Sequence, residues 1–122
     1  MTVLPGSIAA HRIGEVAVVR AAGDLDLAAV EPFARAVDDA LSDRPTGLVV
    51  DLAEVAFCDT VGLRTLLSTA AKARRQGCSI AFAGAQREVA ELLARVCADR
   101  ALPAYPDVAE AIEGLMFSGE WR

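Results

Sequence analysis

Asp59 and Thr60 stand side by side where an apolar run, Gly47-Leu48-Val49-Val50-Asp51-Leu52, gives way to residues of helical period. Leu63, Leu66, Leu67, Ala70, Ala71 and Arg74 recur at a spacing near that of an α-helix. An acid and a hydroxyl therefore fall at the mouth of a helix. Two chemistries are open to a hydroxyl there. It can cap the free N–H groups, or it can carry a phosphate that the helix dipole favours. A second acidic pair, Asp24 and Asp26, precedes another helical stripe. Either carboxylate can cap that helix. The other reading places one of them near Thr60, because loops that follow successive strands gather at one edge of such sheets. Asp38 and Asp39 fall on the outer face of a helix and read as solvated surface.

Other chemistries find little support. His11 is the single histidine and has no clustered carboxylates around it in sequence, so no Ser-His-Asp or Cys-His arrangement is expected. Cys58, Cys78 and Cys97 are odd in number, widely spaced and without a CxxC pair, which suits buried thiols in a reducing cytoplasm better than a disulfide frame or zinc site. Neither a GxGxxG nor a GxxxxGK[ST] loop occurs. A small α/β enzyme is thus the least supported class, and no metal or cofactor is expected. The net charge of −5 argues against direct nucleic-acid binding. No apolar run approaches the ~18 residues of a membrane helix, and residues 1–5 lack the basic start and apolar core of a secretion signal. A cytoplasmic protein without membrane insertion is expected.

The elements that must position Asp59 and Thr60 can be read in order. Ser7 to Ile13 and Val16 to Ala22 read as strands of a hairpin turning at Gly14-Glu15, and Gly23-Asp24-Leu25-Asp26 breaks the pattern. Val30, Phe33, Ala34, Val37, Ala40 and Leu41 form a helical stripe, with Pro32 expected in the first turn and Glu31 paired with Arg35 outside. Leu48 to Leu52 reads as a strand buried on both faces. A helix over about 60–76 stops at Gly77, a strand follows over 79–83, and Gln86 to Cys97 is helical by Val89, Leu92, Leu93 and Val96. Leu102 to Tyr105 reads as extended, and Asp107 with Glu110 has capping-box spacing for a last helix with Ala111, Ile112 and Leu115 inward. The end, 118–122, is expected to fray, with Trp121 able to tuck onto the body. At 122 residues, one domain over 1–122 with its core at about 7–117 is expected. The order implies parallel neighbours and right-handed crossovers: an α/β fold with a mixed four- to five-stranded sheet and about four helices mainly on one face.

Gly23-Asp24-Leu25-Asp26, Asp51-Leu52 and Phe57-Cys58-Asp59-Thr60-Val61-Gly62-Leu63, taken in order, resemble the STAS domain, in particular the bacterial anti-sigma factor antagonists (anti-anti-sigma factors). Leu102-Pro103-Ala104-Tyr105-Pro106-Asp107 and its helix look like that family's C-terminal portion, so the likeness spans roughly 7–115. The resemblance implies a regulator of transcription, not an enzyme. Its unphosphorylated form binds an anti-sigma factor that is also a serine/threonine kinase, and so releases the sigma factor. Phosphorylation switches binding off, and a phosphatase restores it. Carried over, the phosphoacceptor is Thr60. The family often has a second hydroxyl after the acceptor; Val61 stands there. The implied partner surface comprises Asp24, Asp26, Asp59, Val61, Gly62, Leu63 and Arg64. Gly62 also reads as a tight turn, Leu63 as core, and Thr60-Arg64-Ser68-Lys72 as an exposed line, either solvated or a docking strip. Thr65 and Ser68 rank well below Thr60 as acceptors. The alternative is a STAS subunit of an ABC-type lipid transport system docking on its ATPase.

Overall fold

The computed structural model describes residues 8–96 and 103–117. In chain order the elements are β1 (Ile8–Ile13), β2 (Val16–Leu25), α1 (Leu27–Ser42), β3 (Gly47–Cys58), α2 (Thr60–Arg75), β4 (Ser79–Ala83), α3 (Arg87–Val96), β5 (Ala104–Tyr105) and α4 (Val108–Phe117). The strands lie in the sheet in that same order, β1 antiparallel to β2 and the remaining pairs parallel. A sheet that grows in one direction through right-handed crossovers must put every crossover helix on one face. So α1, α2 and α3 share a face, where Phe33, Val37, Leu66, Ala70, Val89 and Leu93 pack on Val19, Val50, Leu52 and Phe82. The last helix follows the last strand and is free of that rule. It covers the opposite face, with Ala111 and Leu115 against Val16, Val18, Val49 and Ala81. Burial from both sides explains why Val16 to Val19 and Leu48 to Val50 show no polar alternation.

Local chemistry sets the element ends. α2 stops at Gly77, whose φ of +78° lies where a side chain would be strained. The Glu110 N–H donates to the Asp107 carboxylate at 2.8 Å, the cap expected for α4. Glu31 and Arg35 pair at 4.0 Å.

Three expectations need correction. Asp38 is more than solvated surface: its carboxylate pairs with Lys72 and ties α1 to α2. Pro32 lies five residues past Leu27, inside α1 and beyond its first turn, on the exposed side of the helix. Both central strands are also longer than their apolar runs. β2 continues to Leu25 instead of breaking at Gly23, and β3 continues to Cys58 instead of ending at Leu52. Asp51 pairs with Ala83, the last residue of β4, so residues 52–58 run on beside β2 alone. A two-stranded ribbon covered by helices on one face only has exposed residues where a fully sandwiched strand has none, and Ala53, Glu54, Ala56 and Phe57 are exposed. That interrupted burial hid the strand. The expectations for Ser7, Cys97, Leu102 and 118–122 fall outside the described residues.

Candidate functional site

The ribbon carries the ends of β2 and β3 to a common tip, and two helices start there. Asp26 is the N-cap of α1, its carboxylate accepting from the Ala28 N–H at 3.1 Å. Asp59 is the N-cap of α2. Its backbone is extended (φ −92°, ψ −172°), its carboxylate accepts from the Gly62 N–H at 2.9 Å, and its carbonyl accepts from the Leu63 N–H at 2.8 Å. Of the two groups able to cap α2, the carboxylate does so. Thr60 is then the first residue of the helix and is exposed, and among the described residues no hydrogen bond engages its hydroxyl. Of the two lesser candidates, Thr65 is engaged, its Oγ1 donating to the Val61 carbonyl at 2.9 Å, a pattern that Thr69 repeats onto Thr65; Ser68 is exposed further along α2.

The two starts are locked together through β2. The Asp59 N–H donates to the Leu25 carbonyl at 3.4 Å. Gly62 sits against that same carbonyl so closely that a Cβ would overlap its oxygen, lie 2.8 Å from its carbon and 3.1 Å from Cys58 Sγ. The tight turn into α2 and this close approach to β2 both fall on Gly62. Gly62 and Leu63 are both buried, so neither offers a contact surface; they set the seat of the helix start. Asp24, opposite Phe57 on the ribbon, is exposed, as are Val61 and Arg64, while Asp26 and Asp59 are half-buried. The sequence reading of Asp26 as a cap and as a neighbour of Thr60's helix start are thus compatible.

Between α1 and α2 runs an open groove of about 310 Å³, with Leu27, Val30, Ala34 and Val61 among its lining and Arg64 and Lys72 on the α2 side. Of the line Thr60-Arg64-Ser68-Lys72, the last three belong to the α2 wall of this groove. Arg64 forms no ion pair among the described residues. Two apolar residues next to the tip escape sequence reasoning. Leu27 is 74% exposed and Phe57 52%. Leu27 opens a helical run and Phe57 the segment that leads to Asp59, and no periodicity marks either as surface.

Burial, and then the Asp59 carboxylate, push the Cys58 thiol up from its ordinary 9.0 to about 11. Its thiolate is therefore disfavoured at neutral pH. Because the raised value belongs to the folded state, this stabilisation is complete below the unfolded thiol's pKa and disappears as pH rises through that of the folded protein. Chemical denaturation at steps between pH 8 and about pH 11 is expected to show falling stability, and Cys58→Ala to show a shallower fall; equal slopes would mean that the Cys58 thiol does not contribute to the fall. Burial raises Cys78 as well, so the slope of the variant does not vanish.

Among the described residues there is no group of His, Cys, Asp and Glu able to hold a metal ion, and no helix long and apolar enough to cross a membrane. The chain is 39% identical over 57 residues to the anti-sigma-F factor antagonist RsfB of Mycobacterium tuberculosis, a match covering 47% of each, so it spans about half the length of that relative. A crystal structure of an anti-sigma factor antagonist from Mycobacterium paratuberculosis superposes with a TM-score of 0.79 at 24% identity, covering 93% of this chain and 97% of that one. The anti-sigma factor antagonist SpoIIAA in its unphosphorylated form superposes with a TM-score of 0.73 at 16% identity, over 90% of this chain and 96% of that one. Both likenesses are of fold. The model of the STAS domain matches residues 7–111, which take in the whole sheet, the tip and the start of the last helix; the chain belongs to the STAS domain family.

Proposed function

We propose that this protein is a cytoplasmic anti-sigma factor antagonist switched by phosphorylation of Thr60. The observation that carries the reading is the division of labour at the start of α2: Asp59 caps the helix, and the Thr60 hydroxyl is left exposed. In its unphosphorylated form the tip binds an anti-sigma factor with serine/threonine kinase activity, which then lets go of its sigma factor. Asp24, Asp26, Asp59, Val61 and Arg64 provide the polar and flanking contacts, with Leu27 and Phe57 as apolar ones. Gly62 and Leu63 act from beneath by holding the turn in place.

Transfer of phosphate onto Thr60 needs no refolding. The new group sits at a helix N-terminus, where the dipole and the N–H groups that Asp59 leaves over favour an anion. Arg64, one turn along, is placed to pair with it. A phosphatase acting on phospho-Thr60 completes the cycle.

Incubation with ATP and the cognate anti-sigma kinase is expected to raise the intact mass by one phosphate, mapped to Thr60, and Thr60→Ala to abolish the gain. Label retained in Thr60→Ala would move the acceptor elsewhere. Co-purification with a transport ATPase in place of the kinase would replace this reading by that of a transporter subunit.

A further inference from the structure

β3 does not run evenly to its tip. Its side chains facing α1, α2 and α3 are Leu48, Val50, Leu52, Val55 and Cys58, so steps of two residues give way to steps of three. The pairing with β2 slips at the same places: Arg20 stands opposite Asp51, Ala22 opposite Glu54, Gly23 opposite Val55 and Asp24 opposite Phe57. Each slip is one additional residue in β3, a bulge. Successive strand residues point to opposite faces, so one bulge alone would turn Cys58 and the residues after it to the wrong side, and the second restores them. The aim of Asp59 and Thr60 thus depends on both additional residues keeping their places.

The first bulge is gripped by side chains. Asp51 is 3% exposed. Its Oδ1 accepts from the Ala53 N–H at 3.0 Å and its Oδ2 accepts from Arg20 Nε at 3.0 Å. From the other side, Gln86 Nε2 donates to the Ala53 carbonyl at 3.0 Å. Both backbone groups of Ala53 are therefore satisfied although β4 ends before reaching it. A buried carboxylate in a strand is costly unless it is paired and hydrogen-bonded, and this one is spent on a residue whose ladder the first bulge interrupts. Arg20 keeps its charge compensated from the neighbouring strand.

We infer that Asp51, clamped by Arg20, is a positioning residue for the phosphate acceptor: it pins the bulge at Leu52–Ala53, and so fixes the side on which Cys58 is buried and the direction in which Asp59 and Thr60 are presented. The link to phosphorylation rests on the proposed role of Thr60, whereas the register has a readout of its own. Cys58 lies beyond the bulge and Cys78 lies just before β4, at the far end of the sheet, and both are buried.

Native-state labelling with an aromatic disulfide reagent, resolved by peptide mass, tests the inference. In Asp51→Ala, Cys58 is expected to react about tenfold faster than in the unaltered protein, and Cys78 to stay within about twofold. Asp51→Asn keeps an acceptor oxygen for the Ala53 N–H and is expected to hold Cys58 within about threefold. Kinase transfer to Thr60 should fall about tenfold in Asp51→Ala and recover in Asp51→Asn. Equal acceleration of both thiols would mean general loosening and would overturn the inference, as would unchanged labelling of Cys58. Should Asp51→Ala fail to fold, Gln86→Leu releases the Ala53 carbonyl from an exposed position and is expected to speed Cys58 about threefold with Cys78 unchanged; no change there overturns it equally. If the kinase leaves even the unaltered protein unlabelled, the acceptor reading falls, and the ratio of the two thiols still decides the register.

Discussion

Gly62→Ala is expected to destabilise the protein by about 3 kcal/mol, at the upper end of what one added methyl group costs in a packed site. The expectation runs against intrinsic propensity, since Ala in place of Gly stabilises an unconstrained helix position by about 1 kcal/mol. At Gly62 the new Cβ would overlap the Leu25 carbonyl oxygen and press on its carbon at 2.8 Å. Backbone cannot turn aside as a long side chain can. Either α2 lifts from β2, weakening the bond from the Asp59 N–H to that carbonyl, or the end of β2 shifts and takes the Asp26 cap with it. Urea denaturation followed by far-UV circular dichroism measures the loss. A midpoint at or above that of the unaltered protein would mean that the two helix starts are not seated on one another.

Phosphorylation of Thr60 is expected to weaken binding to the anti-sigma partner by at least about tenfold without unfolding the domain. The group adds up to about two negative charges to a tip that already carries Asp24, Asp26 and Asp59. Against a single partner carboxylate at roughly 6 Å, the repulsion is about 1–6 kcal/mol for effective dielectrics between 80 and 20. The low end already gives tenfold. Thr60→Glu adds one charge and is expected to show about half the effect in free energy. Added salt should narrow the difference, because the tip is exposed. Isothermal titration of the purified partner with both forms, at two salt concentrations, is the measurement. Equal affinities with an intact circular dichroism spectrum would leave the switch without a physical basis.

Much of this frame can be read from the residues. The helices read over about 27–41 and 60–76, the strand over 79–83 and the stop at Gly77 follow from periodicity and from one glycine, and each matches an observed element to within a residue. The Asp107 cap follows from spacing alone, because caps are local. The extended halves of β2 and β3 were not legible. A strand buried on one face is marked by alternation, and two bulges interrupt it just where burial on the other face is lost. Nor could the sequence divide the work between Asp59 and Thr60. Either side chain has an oxygen able to accept from the first turn, and only backbone torsions and distances assign it.

Residue types and their spacing thus supply the parts: an acid and a hydroxyl at a helix start, a second acid before another helix, and strands apolar enough to be buried. Those are short-range properties, fixed within a few residues. Only the assembled sheet brings the two helix starts together, makes Gly62 necessary beside the Leu25 carbonyl of another strand, and turns Thr60 outward. Such facts depend on register between strands that are distant along the chain, and register is settled by pairing and packing once the sheet has assembled.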